Sequence, residues 1–232
     1  MKKYALLFLV LLSGWSYACV CGYRGIVAQF QDVDFVGEIK IIEVDSKVNN
    51  DGEVFVKIKP IKAYKGKAPI GFYADISSSC RIYPKVGEKL LVYFYLNKVI
   101  PHVHQCTRMV NLLENIPKNK EEIKVIKYLS RNKFSDKGVS LFFDPSTLFE
   151  NYKYLKVNNN FSVIRITSNK DSTGIKTMNI LQSFGTKKDE EIYKIVMEKG
   201  ILLKDYNDEA SDHIVILYYN VNGSNRGVVA SY

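Results

Sequence analysis

A small β-barrel or sandwich of five strands, followed by an α+β unit of β-β-α-β order, is the fold the sequence predicts. Three observations lead there. Five alternating or continuously apolar runs lie between residues 34 and 106, separated by turns rich in Asn, Gly and Pro. All four cysteines, Cys19, Cys21, Cys80 and Cys106, belong to this first part, and the rest of the chain has none. After residue 132 the pattern changes to two alternating strands, a helical stripe and a last β-branched run.

The chain has 232 residues, 47% of them hydrophobic, enough for a sizeable core. Residues 1–18 read as a secretory signal peptide: Lys2 and Lys3, an apolar stretch from Tyr4 to Leu12, then Ser16-Tyr17-Ala18 before the cleavage point. Tyr4–Trp15 is too short for a membrane span, which needs about 20 apolar residues. A lipoprotein signal would carry Leu, Val or Ile where Ser16 stands. Cleavage after Ala18 makes Cys19 the first residue and takes the formal charge from +9 to +7 by removing two lysines. The remaining lysines are scattered, without a basic block, and export excludes nucleic acid as a partner. No transmembrane segment is expected after processing. Four cysteines in an exported chain point to two disulfides, with three connectivities open.

Ile26–Gln31 can form one or two helical turns. Asp34–Val44 reads as a long strand, and Asn49-Asn50-Asp51-Gly52 as a hairpin turn. Val54–Lys59 alternates and continues past Pro60, which marks an edge or a bulge, to Ile61–Tyr64. Gly71–Ile76 is the third strand. Lys89–Leu96, almost continuously apolar, is a central buried strand, and Val99–Cys106 is the fifth. Glu121–Arg131 is a helix with Ile123, Val125, Ile126 and Leu129 on its apolar side, Pro117 before it and Asn119 as its cap. Residues 132–140 are polar and are taken as the domain boundary. Beyond it come a short helix at Leu148–Tyr154 and strands at Phe161–Thr167 and Ile175–Ser183. A helix over Asp189–Lys199 follows, introduced by Thr186-x-x-Asp189, and then a strand at His213–Val221.

In the first part the motifs fall in a family's order. They are the Cys19-Val20-Cys21 start, Asp32-Val33-Asp34-Phe35-Val36-Gly37, Tyr64-Lys65-Gly66, Cys80, Gly87-Glu88-Lys89-Leu90-Leu91-Val92-Tyr93 and Gln105-Cys106-Thr107-Arg108. Over residues 19–130 the chain thereby resembles the netrin-like N-terminal domain of the tissue inhibitors of metalloproteinases, above all its bacterial exported members. The resemblance implies a five-stranded OB-type barrel with bridges Cys19–Cys80 and Cys21–Cys106. It also implies an inhibitory role: the free amine and carbonyl of Cys19 chelate the zinc of a metalloprotease, and Val20 enters its specificity pocket. Family inhibitors carry Ser or Thr at the Val20 position and six cysteines in this domain. The alternative is that Cys19 and Cys21 only staple the barrel. Asn169-Lys170-Asp171, Gln182-Ser183-Phe184-Gly185, Asp189-Glu190-Glu191 and the closing strand make residues 155–222 resemble the C-terminal domain of TonB. That resemblance implies a sheet edge that accepts a peptide strand. The six prolines of the chain leave no room for the long Pro-rich spacer of TonB.

The expected organisation is therefore a signal peptide at 1–18, a netrin-like barrel plus helix at 19–132, a linker and short helix at 133–154, and a TonB-like domain at 155–232. His102, His104 and Cys106 would share one face of a strand, as metal ligands can, but Cys106 has a bridge partner and an exposed His-x-His pair is ordinary surface. No Gly-x-Ser-x-Gly is present, and the acidic run at Asp189 suits a helix start. No enzyme, cofactor or metal is expected. The expected protein is secreted, periplasmic or in the cell envelope and binds a protein, a zinc metalloprotease or an envelope component.

Overall fold

The computed structural model describes residues 19, 21, 25–96, 100–113, 116–134, 137–138, 140–142, 152, 154–168, 174–203, 212–220 and 227–230. The proposed signal peptide, Val20, the Asn169-Lys170-Asp171 motif and most of the expected Leu148–Tyr154 helix lie outside the described residues.

Helix α1 (Ile26–Asp32) leads into a hairpin of two long strands, β1 (Phe35–Val48) and β2 (Glu53–Lys65). At the turn Asn49 Oδ1 accepts the N–H groups of Asp51 and Glu53, both at 2.9 Å, and Gly52 takes φ +77°. Asn and Gly are there because a side-chain acceptor and a positive φ are both required. β3 (Gly71–Asp75) pairs with Glu53–Lys57 only, so Pro60 lies beyond its end, beside a register shift between Glu38 and Ile39. Among the described residues no outer strand needs an N–H from Pro60 there. β4 (Lys89–Phe94) pairs with the first half of β1.

The fifth strand departs from the expectation of one strand over 99–106. β5 is only His102–Val103, parallel to β3, and a separate β6 (Met109–Asn111) pairs with β4. Between them the chain turns, with Thr107 N–H donating to His104 O at 2.9 Å. The result is a six-stranded sheet in the order β5-β3-β2-β1-β4-β6, curled into a half-barrel. Its concave side holds Phe35, Ile39, Ile41, Val56, Phe72, Ala74, Val92, Phe94 and Val103.

Helix α2 (Pro117–Arg131) starts four residues earlier than expected. Pro117 takes the first turn, where its missing N–H costs nothing. Asn119 is not the cap: Ile116 stands there, and Asn119 Nδ2 donates to Asn111 O at 2.7 Å.

Two short strands, β7 (Lys137–Gly138) and β8 (Ser140–Phe142), occupy part of the expected linker. The expected β-β-α-β order follows as β9 (Phe161–Thr167), β10 (Thr177–Gln182), α3 (Asp189–Lys199) and β12 (Asp212–Asn220). Two further strands join it, β11 (Ile201–Leu203) against β8 and β13 (Gly227–Ala230) against β12. The second sheet runs β10-β9-β12-β13, and β7 lies parallel to β12 at His213 and Ile214. At the start of α3, Asp189 Oδ2 accepts the N–H groups of Gly185 and Thr186 at 2.9 and 3.1 Å, but the expected capping box does not form: Lys188, not Thr186, stands at the cap, and among the described residues no side chain caps the helix.

Alternation explains the layers. On β4, Leu90, Val92 and Phe94 face the half-barrel interior, while Leu91 and Tyr93 face the other way. On β9 and β12, Ile164, Ile166, Val215 and Leu217 pack with Ile192, Tyr193 and Val196 of α3. Phe161, Val163, Ile214 and Ile216 point to the opposite face and join Leu91, Tyr93, Val125, Ile126 and Leu129. One apolar middle layer, with α1 and α2 in it, is thus shared by both parts of the chain. β4 and β12 read as unbroken apolar runs because both of their faces are covered.

Candidate functional site

The segment expected to carry function is bound to the half-barrel at two points. Cys19 is bridged to Cys80, with Cα atoms 5.2 Å apart, and Cys21 to Cys106, with Cα atoms 5.1 Å apart. The bridges span 61 and 85 residues of sequence. In the chain-entropy account, loops of that length each stabilise the fold by about 4 to 5 kcal/mol. The two bridges touch: Cys19 Sγ lies 3.4 Å from Cys106 Sγ.

Local chemistry fixes each receiving loop. Asp75 Oδ1 accepts the N–H groups of Ser77 and Ser78, both at 3.0 Å, and the Ser78 hydroxyl donates to the same carboxylate. The Ser78 hydroxyl, then its N–H, hold the Asp75 carboxyl below its ordinary pKa. Ser78 Oγ in turn accepts Cys80 N–H at 3.0 Å. On the other side Cys106 N–H donates to His104 Nδ1 at 3.1 Å. Gln105 N–H donates to Cys80 O at 2.7 Å and ties the two loops together.

The two candidate histidines do not share a strand face with Cys106. β5 ends at Val103, His102 Nδ1 is 2.8 Å from Glu53 Oε1, and the His104 Nδ1 is taken by a backbone donor. The i, i+2, i+4 pattern fails because the turn required by the Cys106 bridge interrupts the strand. A cleft of about 280 Å³ opens beside Cys106, lined by Gln29, Tyr93, Pro101, His104, Thr107 and Arg108 among others.

Sequence reasoning missed the charged cluster behind this cleft. Arg108 Nε and Nη2 each donate at 2.8 Å to Glu122, one to each oxygen, and Tyr93 Oη donates to Glu122 Oε1 at 2.8 Å. Glu122 is 5% exposed and Tyr93 1%. Burial opposes the Arg108 charge, but the hydrogen bonds and charge of Glu122 outweigh it and raise its pKa. Burial, reinforced by Glu122, pushes the Tyr93 and Tyr218 hydroxyls well above the ordinary tyrosine range. The one signal in the sequence was a glutamate next to the apolar stripe of α2, where a charge needs a partner.

A larger groove of about 570 Å³ lies between α1, the end of β2 and the end of α2, lined by Phe30, Tyr64, Lys65, Leu129 and Phe134 among others. Lys65 Nζ closes α1 there by donating to Phe30 O and Gln31 O at 2.9 and 2.5 Å. Among the described residues no helix is long and apolar enough to cross a membrane. Comparison with protein-family models and with curated proteins finds no match to this chain.

Proposed function

We propose that this chain is an exported, non-enzymatic protein-binding protein, secreted or held in the cell envelope, that works through its processed N-terminus. In this reading residues 1–18 are removed, residues 19–132 are a netrin-like OB-type barrel, and residues 155–232 are a TonB-like unit. Cys19 then chelates the zinc of a metalloprotease through its free amine and its carbonyl, and Val20 fills the adjoining pocket. The observation that carries the reading is the double staple: Cys19 and Cys21, two residues apart, are bridged to two different loops. A segment held this way loses little freedom on binding. A catalytic zinc keeps one position open for a ligand, and an α-amine with a pKa of about 7.7–8.0 has a neutral fraction at pH 7.

The test compares the processed protein with a form carrying one added Ala before Cys19, against a panel of zinc endopeptidases. The added residue turns the amine into an amide, a poor ligand, and leaves both bridges in place. Inhibition should fall by orders of magnitude with unchanged thermal stability, and should weaken below the amine pKa. If the processed form inhibits none of the panel, or the Ala-extended form inhibits equally, chelation by Cys19 is wrong.

A second reading makes the C-terminal sheet the working part, in an envelope structural or transport accessory. The position of β10 at the end of the second sheet favours it, with Ile180 42% exposed. Such an edge offers backbone donors and acceptors to a peptide strand. A Pro substitution at an outward N–H of β10 would abolish binding of a partner that uses this edge and leave protease inhibition untouched.

A further inference from the structure

Three of the four cysteines form a tighter group than two independent bridges require. The Sγ atoms of Cys19, Cys80 and Cys106 all lie within 4.8 Å of one another, although Cys106 is bonded to neither of the others. All four cysteines are half-buried, so solvent reaches the group. In a tetrahedral zinc–thiolate site the metal–sulfur bonds of about 2.3 Å place the sulfurs about 3.8 Å apart. The non-bonded Cys19–Cys106 pair, at 3.4 Å, is already near that spacing. Opening the Cys21–Cys106 bridge frees Cys106, and the bonded Cys19–Cys80 pair must separate.

We propose that the reduced protein holds one thiophilic cation, of the Zn2+ type, on the thiolates of Cys19, Cys80 and Cys106, with solvent in the fourth position. Two of these ligands keep their places without the bridges. The loops bearing Cys80 and Cys106 are joined by the Gln105 N–H to Cys80 O hydrogen bond and by the parallel pairing of Tyr73 with His102 and of Ala74 with Val103. Softness of the ligands selects zinc or Cu(I) over calcium or magnesium. His104 is not a ligand, since its Nδ1 accepts the Cys106 N–H.

The chemistry balances simply. Each bridge takes two electrons and two protons from a dithiol, which closes to its own disulfide, so two dithiols give four thiols. Metal binding then exchanges thiol protons for the ion, and no further electrons move. The ion and the bridges are alternative occupants of the same sulfurs. The metal-loaded form therefore belongs to reducing conditions and resists oxidation. The proposal does not depend on protease inhibition.

The test uses the protein reduced with a phosphine under argon and freed of reductant. Zn2+ is titrated against a chromophoric chelator, and Co2+ serves as the spectroscopic probe. The expected result is one ion per chain, sulfur-to-cobalt charge-transfer bands with tetrahedral d–d bands, and no binding by the oxidised protein. Native near-UV circular dichroism should be present in the loaded form, and zinc should slow re-formation of the bridges by a mild oxidant. Cys80→Ser should weaken binding at least about tenfold, and His104→Ala should leave it unchanged. Absence of stoichiometric binding overturns the proposal. So does binding that survives Cys80→Ser, or binding by a chain whose near-UV signal is that of the unfolded protein.

Discussion

Replacing Arg108 by Ala removes the guanidinium paired with the buried carboxylate of Glu122, and its cost can be worked from the geometry. Two charge-assisted hydrogen bonds, both 2.8 Å, are lost. Such bonds are each worth about 1.5–3 kcal/mol net. Among the described residues the Tyr93 hydroxyl still donates to Glu122, in a site where the carboxylate is 5% exposed. Breaking a buried pair by removing one member costs about 3–5 kcal/mol, because a charge is left without compensation. For a chain of this size each kcal/mol moves the melting temperature by roughly 2–4 °C, so a fall of about 10 °C is expected. The assay is urea and thermal unfolding at pH 7 with the bridges intact. The paired change Arg108→Met with Glu122→Leu fills the same space without charge and should recover most of the loss. The reasoning fails if Arg108→Ala costs under about 1 kcal/mol, the worth of a surface ion pair, or if the double change is no better than the single one.

Three further outcomes are expected. Gly66→Ala should cost more than an ordinary loop substitution, because Gly66 has φ +67° and a Cβ there would sit 1.9 Å from Asp34 O; equal urea midpoints for the two proteins would contradict this. Stability should hold below about pH 10 and fall above it, because unfolded tyrosines ionise near that pH while Tyr93 and Tyr218 stay protonated in the fold, so unfolding releases protons; ultraviolet titration should show these tyrosines ionising only with unfolding, and their smooth titration in the native protein would contradict it. A fragment of residues 133–232 bares Phe161, Val163, Ile214 and Ile216, each worth roughly 1.5–3 kcal/mol when buried; it should self-associate or bind an apolar dye, and a monomer that unfolds cooperatively without dye binding would show that the middle layer is dispensable.

Much of this protein was legible in its sequence, wherever the signal is local. The alternation in Val54–Lys59 and Phe161–Thr167, the turn chemistry at Asn49–Gly52 and the stripe of Ile123, Ile126 and Leu129 each depend on neighbours a few residues away, and each led to its element. Two- and three-residue strands carry no such period. β5, β6, β7, β8 and β11 exist because a partner strand lies alongside, so only the folded chain reveals them. Residues alone left three cysteine pairings open, and the choice of Cys80 for Cys19 and Cys106 for Cys21 depends on where distant loops arrive. The N-cap of α2 differs from expectation for a similar reason, since Asn119 donates to Asn111 O eight residues back. Sequence could mark Lys89–Leu96 as buried, but not that Leu91 and Tyr93 would meet a second sheet. Nor could it reveal that Glu122 would be buried against Arg108. Burial on a second face, and the pairing of a buried charge, are decided by elements far apart in the chain, and a periodicity records only which residues share a face, not what will cover it.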